Sequence, residues 1–309
     1  HPRHGETAQH QSAPLAARLN MHQIRAIPQP VDYLERGGGA SHVRMRFKNI
    51  VGVALHSCQA PRVSVRSFVD NRAPPVDPTA QGHAMTTLLP RIELESAPNP
   101  TAAVIWLHGL GADGNDFAPI VPELDLGGCP PIRFVFPHAP AIPVTINGGY
   151  VMPAWYDILG VNLVDRQDDK GIQKSEWAIQ ALIQHEVDRG IPHERIVLAG
   201  FSQGCAMALH TGLRLPHRLA GIMALSGYLP LADRFPSERH AANATTPIFM
   251  AHGTQDPVVV LQRGEDSRDA LAKLGHPVEW HTYPMQHSVH PREIADIALF
   301  LTRVLGKAA

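Results

Sequence analysis

The sequence GFSQG, residues 200–204, stands between an apolar run, 196–199, and a segment of helix-forming composition, 205–214. A serine in the pattern G-x-S-x-G at a strand-to-helix turn is typical of a nucleophile elbow, in which the hydroxyl stands clear of a sheet. Such a sharp turn strains the serine backbone, and glycines two residues away on each side let strand and helix approach closely. The pattern predicts a nucleophilic Ser202. The plain alternative is a glycine-rich connection whose serine caps a helix.

From Thr86 onward, short apolar runs alternate with helical patterns on both sides of this turn. Most of the runs are apolar on both faces, as buried parallel strands are. The predicted strands are 102–107, 134–136, 196–199, 219–225, 248–251 and 278–283. Apolar residues at helical spacing predict one helix that ends at Gly190 and another over about 294–305. The sequence therefore predicts an α/β fold with a mostly parallel sheet and helices on both faces.

Residues 1–84 differ from the rest of the chain. They are rich in Arg, His and Pro, and they show no sustained helical or strand period. We expect disorder here, either as a solvated tail or as sequence ahead of a start at Met85, and we assign residues 85–309 to a single catalytic domain. The mildly basic composition leaves a minor alternative, an arm that touches RNA or a membrane.

Composition excludes several classes of protein. The net charge of -1 lacks the excess of positive charge with which proteins bind nucleic acid or an anionic membrane. Three separated cysteines form neither a disulfide framework nor a zinc spacing, which favours a reducing, cytoplasmic setting. The 19 histidines are scattered without metal-ligand spacing. No signal peptide or apolar run of membrane-spanning length is evident, so we expect no stable membrane insertion.

A serine nucleophile needs a base, and the base needs an orienting carboxylate. Asp256 follows the apolar run 248–251, and His287 follows the run 278–283. The order Ser, Asp, His is the one found on α/β-hydrolase folds, and each residue comes after a strand of its own. Because ligands bind at the carboxyl ends of parallel strands, these three residues are predicted to meet there.

Other residues compete for the same roles. Asp233 also follows a strand and is a minor alternative to Asp256 as the orienting acid. His290 stands beside a proline where the last helix is predicted to begin, so helix capping suits it better than catalysis. Asp157 precedes the serine and breaks the order. Cys205 lies in the first turn of the helix after the elbow, where packing is the expected role.

A second glycine cluster, HGLGADG at 108–114, matches the dinucleotide pattern G-x-G-x-x-G after a strand. A dinucleotide fold also needs an acidic residue about twenty positions on, at the end of the next strand, and Pro137 and His138 stand there. The same glycines suit a loop that passes beside the nucleophile. On this interpretation the backbone N–H groups of Leu110 and Gln203 form an oxyanion hole, each lowering the barrier by about 2.7–4 kcal/mol.

Five motifs together resemble the bacterial carboxylesterase and acyl-protein thioesterase family of α/β-hydrolases. In chain order they are LHGLGADGNDF, AWYDI, GFSQG, HGTQDPVV and YPMQHSV. The resemblance covers about residues 89–305 and implies an α/β-hydrolase fold without a large cap domain, hydrolysis of carboxylic esters or thioesters, and no cofactor. It implies catalytic Ser202, Asp256 and His287 and oxyanion donors at Leu110 and Gln203.

The same resemblance implies that Trp155 borders the acyl pocket and binds substrate, although alone it would be interpreted as part of a packed loop. Cys205 departs from many members, which have glycine there, and we expect it to narrow the space behind the nucleophile. The resemblance says nothing about residues 1–84.

The function predicted from the sequence is a serine carboxylesterase that cleaves short to medium acyl esters through an acyl-enzyme. The alternatives are an acyl-protein thioesterase, a lysophospholipase and, in another class, a ligand-binding α/β-hydrolase with an idle triad. The expected partner is an ester or acyl substrate, with a homodimer left open and nucleic acid not expected.

Overall fold

The computed structural model describes residues 88–160 and 166–306, together with the backbone of a strand at Ser64–Phe68. Ten strands, five α-helices and four short 3₁₀ helices make up the regular structure of these residues. The strands are β1 (Ser64–Phe68), β2 (Arg91–Glu95), β3 (Ala102–Leu107), β4 (Ile132–Pro137), β5 (Ala141–Val144), β6 (Tyr150–Pro153), β7 (Ile196–Phe201), β8 (Gly221–Leu225), β9 (Ile248–Gly253) and β10 (Val278–Tyr283). The helices are α1 (Asp169–Asp188), α2 (Gln203–Arg214), α3 (Phe235–Glu238), α4 (Leu261–Lys273) and α5 (Pro291–Leu305).

Eight strands form one sheet in the order β1-β2-β4-β3-β7-β8-β9-β10. From β4 to β10 every neighbouring pair is parallel, whereas β2 joins β4 and β1 joins β2 in antiparallel pairs. Strands β3, β4, β7, β8 and β9 are buried along their whole length. Continuous apolar runs form these strands because helices cover both faces of a parallel sheet. The predicted α/β-hydrolase architecture is confirmed.

Two hydrophobic layers lie on opposite faces of the sheet. Helices α1, α2 and α4 contribute to one layer, and α5 with a short 3₁₀ helix at Ala118–Glu123 contributes to the other. The largest fully buried side chains include Trp106, Phe134, Phe249 and Phe300. All the helices therefore pack around one sheet, and no separate cap domain is present among the described residues.

Helix ends agree with the sequence signals. The Asp168 side chain accepts a hydrogen bond from the Gly171 N–H at the start of α1, and Gly190 after its end has a φ of +93°. The His290 side chain accepts from the Arg292 N–H, while the Glu293 carboxylate accepts from the His290 N–H. This reciprocal pair is a capping box, so the capping role predicted for His290 is confirmed.

Strand β1 lies inside the N-terminal segment, whose composition predicts no regular structure. Its backbone pairs antiparallel with β2 from Ser64 opposite Glu95 to Phe68 opposite Arg91. An edge strand is held by backbone hydrogen bonds, which do not require a regular side-chain period in the sequence. The expectation of disorder is therefore wrong at these five residues. The remainder of residues 1–84 lies outside the described part of the chain, and the domain boundary at 84/85 stays a prediction.

A small hairpin, β5 and β6, has no counterpart among the predicted elements. Its four paired positions run from Ala141 opposite Pro153 to Val144 opposite Tyr150. The turn contains two glycines at positive φ, Gly148 and Gly149.

In the described part of the chain, no helix is both long and apolar enough to cross a membrane.

The buried Glu293 predicts a specific dependence of stability on pH. Burial raises the pKa of this carboxyl to about 8, against an ordinary value of 4.5, despite its hydrogen bond from His290. Between these two values the folded chain keeps a proton that the unfolded chain has lost, so stability falls as pH rises. Relative to Glu293→Gln, the wild-type free energy of unfolding should fall by up to about 1.4 kcal/mol per pH unit in this window.

Urea unfolding of both proteins at several pH values measures this difference. Glu123→Gln, at an exposed glutamate, is the control and should follow the wild type. Parallel stability curves for Glu293→Gln and the wild type would contradict the prediction.

Candidate active site

Ser202 occupies the sharp turn between β7 and α2. Its φ of +55° and ψ of -115° are a strained conformation for a residue with a side chain. A Cβ on Gly200 would lie 2.1 Å from the Gly204 carbonyl oxygen, and one on Gly204 would lie 2.3 Å from the Leu107 carbonyl oxygen. Glycine is therefore required on both sides of Ser202 for β7, α2 and the end of β3 to meet.

The structure brings Ser202, His287 and Asp256 together. His287 Nε2 lies 2.9 Å from Ser202 Oγ, and His287 Nδ1 lies 2.6 Å from Asp256 Oδ2. An ionised carboxylate only accepts hydrogen bonds, so Nδ1 carries the proton and Nε2 is left to accept the serine hydroxyl hydrogen. The Asp256 side chain is fully buried, whereas that of His287 is 16 % exposed. A base oriented by a buried carboxylate thus contacts the serine hydroxyl.

Backbone hydrogen bonds join the loops that carry the acid and the histidine. The Thr254 N–H donates to the Tyr283 carbonyl, and the Gln255 N–H donates to the Met285 carbonyl. The second carboxylate oxygen, Asp256 Oδ1, accepts the N–H groups of Val258 and Val259 at 2.8 and 2.9 Å. The carboxylate is therefore fixed by its own loop and leaves Oδ2 for the imidazole.

The two predicted oxyanion donors flank the serine. Gln203 is the first residue of α2, where backbone N–H groups lack intrahelical acceptors. A Cβ on Gly109 would lie 3.4 Å from the Ser202 Cβ, so the loop after β3 passes directly beside the nucleophile. Within residues 88–160 and 166–306, neither the Leu110 N–H nor the Gln203 N–H has a hydrogen-bond acceptor. Both donors are available to a ligand at this place.

The side chain of Gln203 holds the segment that contains Trp155. Its Oε1 accepts from the Trp155 N–H at 2.8 Å, and its Nε2 donates to the Tyr156 carbonyl at 2.7 Å. The Trp155 side chain is 2 % exposed, and its indole N–H donates to the His108 carbonyl at 2.9 Å. The sequence resemblance implies a substrate-binding role for Trp155, but its burial leaves almost no surface for a substrate. The structure instead makes it a support for the loop after β3.

Two buried histidines beside the site have no role predicted from the sequence. Burial lowers the pKa of His108 to about 4 and also lowers the pKa of His252. His252 Nε2 donates to the Val259 carbonyl at 2.7 Å and so closes the loop that carries Asp256. The signal that could have identified both is a His-Gly pair at the end of a buried strand, because each histidine side chain bonds to a carbonyl of the loop that follows.

The residues considered as alternatives for the catalytic roles do not join Ser202, His287 and Asp256. Asp233 is exposed, and Asp157 accepts hydrogen bonds from the N–H and hydroxyl of Thr145 in the hairpin. Cys205 is fully buried, and a Cβ on Gly227 would lie 2.5 Å from its sulfur. Burial raises the pKa of the Cys205 thiol far above its usual range. This agrees with the packing role expected for Cys205.

One group among the described residues has the arrangement of a metal site: Glu93, His185 and Glu186. Arginines already occupy the carboxylates, because Arg189 bonds to both glutamates and Arg133 bonds to Glu186 at 2.8 Å. Burial raises the pKa of Glu93, but hydrogen bonds from Arg189 and Arg91 outweigh it and lower the pKa overall. The group is therefore an ion-pair network that joins strands β2 and β4 to α1.

Comparison with protein families matches residues 90–305 to the family described as phospholipase/carboxylesterase. A protein named acyl-protein thioesterase 1 from Neurospora crassa is 43% identical over 234 residues, which cover 71% of this chain and 94% of that protein. Another of the same name from Debaryomyces hansenii is 39% identical over 233 residues, covering 72% of this chain and 100% of that protein. The resemblance drawn from the sequence motifs named bacterial members of the family, whereas these relatives are fungal.

Solved structures of similar proteins superpose on this chain. Arabidopsis thaliana SOBER1 superposes with a TM-score of 0.62 at 30% identity and covers 66% of this chain and 99% of its own. Zea mays acyl-protein thioesterase 2 superposes with a TM-score of 0.62 at 29% identity and covers 69% of this chain and 99% of its own.

The buried thiol gives a direct test of the packing around the elbow. We expect iodoacetamide to leave Cys205 unmodified in the folded protein, because the thiol is buried and does not ionise near neutral pH. The half-buried Cys129 is the internal comparison and should be labelled faster. Peptide mass spectrometry after timed alkylation measures both. Equal labelling of the two cysteines in folded protein would show that α2 does not pack as described.

Proposed function

The chain belongs to the phospholipase/carboxylesterase family, and from that membership we propose roles for the three residues that meet at the elbow. The protein is a serine hydrolase that acts on esters or thioesters. We assign the nucleophile to Ser202, the general base and acid to His287, and the orienting carboxylate to Asp256. The observation that carries this proposal is the continuous hydrogen-bonded chain from Ser202 Oγ through the imidazole to Asp256 Oδ2.

In the proposed acylation step, Ser202 Oγ attacks the substrate carbonyl while His287 Nε2 takes the hydroxyl proton. The carbonyl oxygen becomes negative, and the N–H groups of Leu110 and Gln203 donate to it. The imidazolium then gives its proton to the leaving alcohol or thiol as the carbonyl re-forms. Asp256 keeps the ring oriented and stabilises its positive charge.

Deacylation repeats these steps with water. His287 removes a proton from water as its oxygen attacks the acyl-enzyme, and the same two N–H groups hold the second oxyanion. Collapse of this intermediate returns the proton to Ser202 and releases the carboxylic acid. No metal or organic cofactor enters any step of this proposal.

We propose that the substrates are carboxylic esters of short to medium acyl chains and acyl thioesters. The acyl-protein thioesterase names of the relatives support the thioester class. Exposed apolar side chains near the site suit an apolar acyl group: Val258 and Val260 follow Asp256 in its loop. Tyr150 and Val151 are exposed on β6, and the carbonyl of its last residue, Pro153, accepts the Gly111 N–H of the loop after β3.

A reducing, cytoplasmic location is part of the proposal. Cys129 and Cys205, the two cysteines in the described part of the chain, are both free. A homodimer, and the absence of nucleic acid among the partners, remain predictions from the sequence.

The triad proposal predicts the effects of two substitutions on hydrolysis of p-nitrophenyl butyrate. Ser202→Ala should lower kcat by about 10⁴ to 10⁶, since a triad nucleophile acts as a unit with its base. Asp256→Asn should lower kcat by about 10⁴, because an amide favours the wrong imidazole tautomer.

Asp233→Asn is the matched control, since Asp233 is the other acid considered for this role and is exposed. It should keep wild-type kcat. A Ser202→Ala protein with more than a tenth of wild-type activity would remove the serine from the mechanism. An idle triad would show no esterase activity in the folded wild type.

If esters and thioesters form the same acyl-enzyme, that intermediate should divide between methanol and water in the same ratio whichever substrate formed it. An octanoyl p-nitrophenyl ester and an octanoyl N-acetylcysteamine thioester yield one octanoyl-Ser202 intermediate. With added methanol, the ratio of methyl octanoate to octanoic acid should therefore be equal for both, because the leaving group has already departed. Gas chromatography of the products measures the ratio.

Ser202→Ala is the control for background reaction of both substrates. Ratios that differ between ester and thioester would contradict a common intermediate. Turnover of the ester without the thioester would restrict the function to carboxylic esters.

A further inference from the structure

His108 begins the loop after β3 that carries Leu110, and its side chain joins this loop to the segment after β4. Its Nδ1 lies 2.7 Å from the Gly109 carbonyl oxygen, and its Nε2 lies 3.0 Å from the Ala139 nitrogen. The side chain is 1 % exposed. It does not touch Ser202 or His287 in any described hydrogen bond, so any influence on catalysis must pass through the backbone.

The two partners of His108 select one protonation state. The Ala139 N–H can only donate, so Nε2 must be the unprotonated acceptor. The Gly109 carbonyl can only accept, so Nδ1 must carry the hydrogen. Only the neutral ring with its hydrogen on Nδ1 makes both hydrogen bonds. Burial favours the neutral ring as well, since it lowers the pKa of His108 to about 4.

The Gly109 carbonyl and the Leu110 N–H belong to the same peptide unit. No peptide bond in the described residues is cis, so this N–H points away from its carbonyl. The carbonyl accepts a second hydrogen bond, from the Ala112 N–H at 3.2 Å. Two donors therefore fix the carbonyl direction and, through the planar peptide, the direction of the Leu110 N–H.

Trp155 holds the other side of the same histidine. Its ring lies 5.3 Å from the His108 ring, centroid to centroid, and its indole N–H donates to the His108 carbonyl. The Trp155 backbone is in turn fixed by the side chain of Gln203, whose own N–H is the other oxyanion donor. One chain of hydrogen bonds therefore connects the two donors.

We propose that His108 is a positioning residue for the oxyanion hole, whose neutral ring with hydrogen on Nδ1 aims the Leu110 N–H at the developing oxyanion. This inference rests on the proposed function, since an oxyanion forms only if Ser202 is the nucleophile. It assigns to His108 a contribution to transition-state binding, with no contribution to proton transfer or to ground-state substrate binding.

Two substitutions separate the two hydrogen bonds. In His108→Asn the side-chain NH₂ can take the place of Nδ1–H and keep the bond to Gly109. In His108→Gln the side-chain oxygen can take the place of Nε2 and keep the bond to Ala139. We expect His108→Gln to lower kcat on p-nitrophenyl butyrate by about 10- to 100-fold, below the full loss of an oxyanion donor, with KM within about twofold. His108→Asn should keep at least about a third of wild-type kcat.

A transition-state analogue tests the mechanism behind the kinetic effect. An alkyl trifluoromethyl ketone forms a tetrahedral adduct with a serine hydroxyl and places an oxyanion in the hole. Its Ki should rise in His108→Gln by the same factor by which kcat/KM falls, because both report transition-state binding. His276→Gln, at another buried histidine away from the site, is the control and should change neither value. Melting temperatures of all variants identify any that fail to fold.

Ring-¹⁵N chemical shifts of the wild-type protein test the proposal without a substitution. They should show His108 neutral with its hydrogen on Nδ1 at pH 7, and a hydrogen on Nε2 would overturn the proposal. Equal losses of kcat in folded His108→Asn and His108→Gln, or no loss in His108→Gln, would also overturn it. If the folded wild type shows no hydrolysis, or hydrolysis that Ser202→Ala leaves intact, the proposed function fails and this proposal fails with it. An active wild type with an unaffected His108→Gln variant overturns this proposal alone.

Discussion

The close contact between the end of β3 and the first turn of α2 is the constraint on which the site depends. A single added carbon on Gly204 would overlap the Leu107 and His108 carbonyl oxygens, at 2.3 and 2.7 Å. This contact brings the loop after β3 beside the serine and turns the start of a helix toward the same point. It also leaves Ser202 at positive φ, a local strain of order 1–3 kcal/mol that the surrounding sheet must offset.

Loops on either side of the elbow use the same device to hold their shape. Each has a histidine and a glycine at the end of a buried strand: His108 directly follows β3, and His252 is the last but one residue of β9. Each histidine is 1 % exposed and bonds to a carbonyl of its own loop, Gly109 or Val259. His287, which must exchange protons in the proposed mechanism, is more exposed than either. Burial thus lowers the pKa of the two imidazoles that hold loops, His108 and His252.

Much of this molecule could be predicted from local patterns. The buried parallel strands, the elbow and the order of Ser202, Asp256 and His287 each leave a signal within a short stretch of sequence. Features that depend on partners far away in the sequence left no such local signal. Strand β2 carries the buried Glu93, whose carboxylate pairs with Arg91 and with Arg189 at the end of α1. The support role of Trp155 likewise depends on the His108 carbonyl, 47 positions away.

Strand β1 matters for recombinant forms of the protein that lack the N-terminal segment. The strand covers the outer edge of β2, which would otherwise present a row of unpaired N–H and C=O groups. A recombinant chain that begins at Met85 would lack this cover, although every residue assigned to catalysis would be present. Exposed strand edges are templates for pairing between molecules, so such a shortened chain would be prone to self-association and precipitation. The pairing of β1 with β2 thereby shields this edge of the sheet from other molecules.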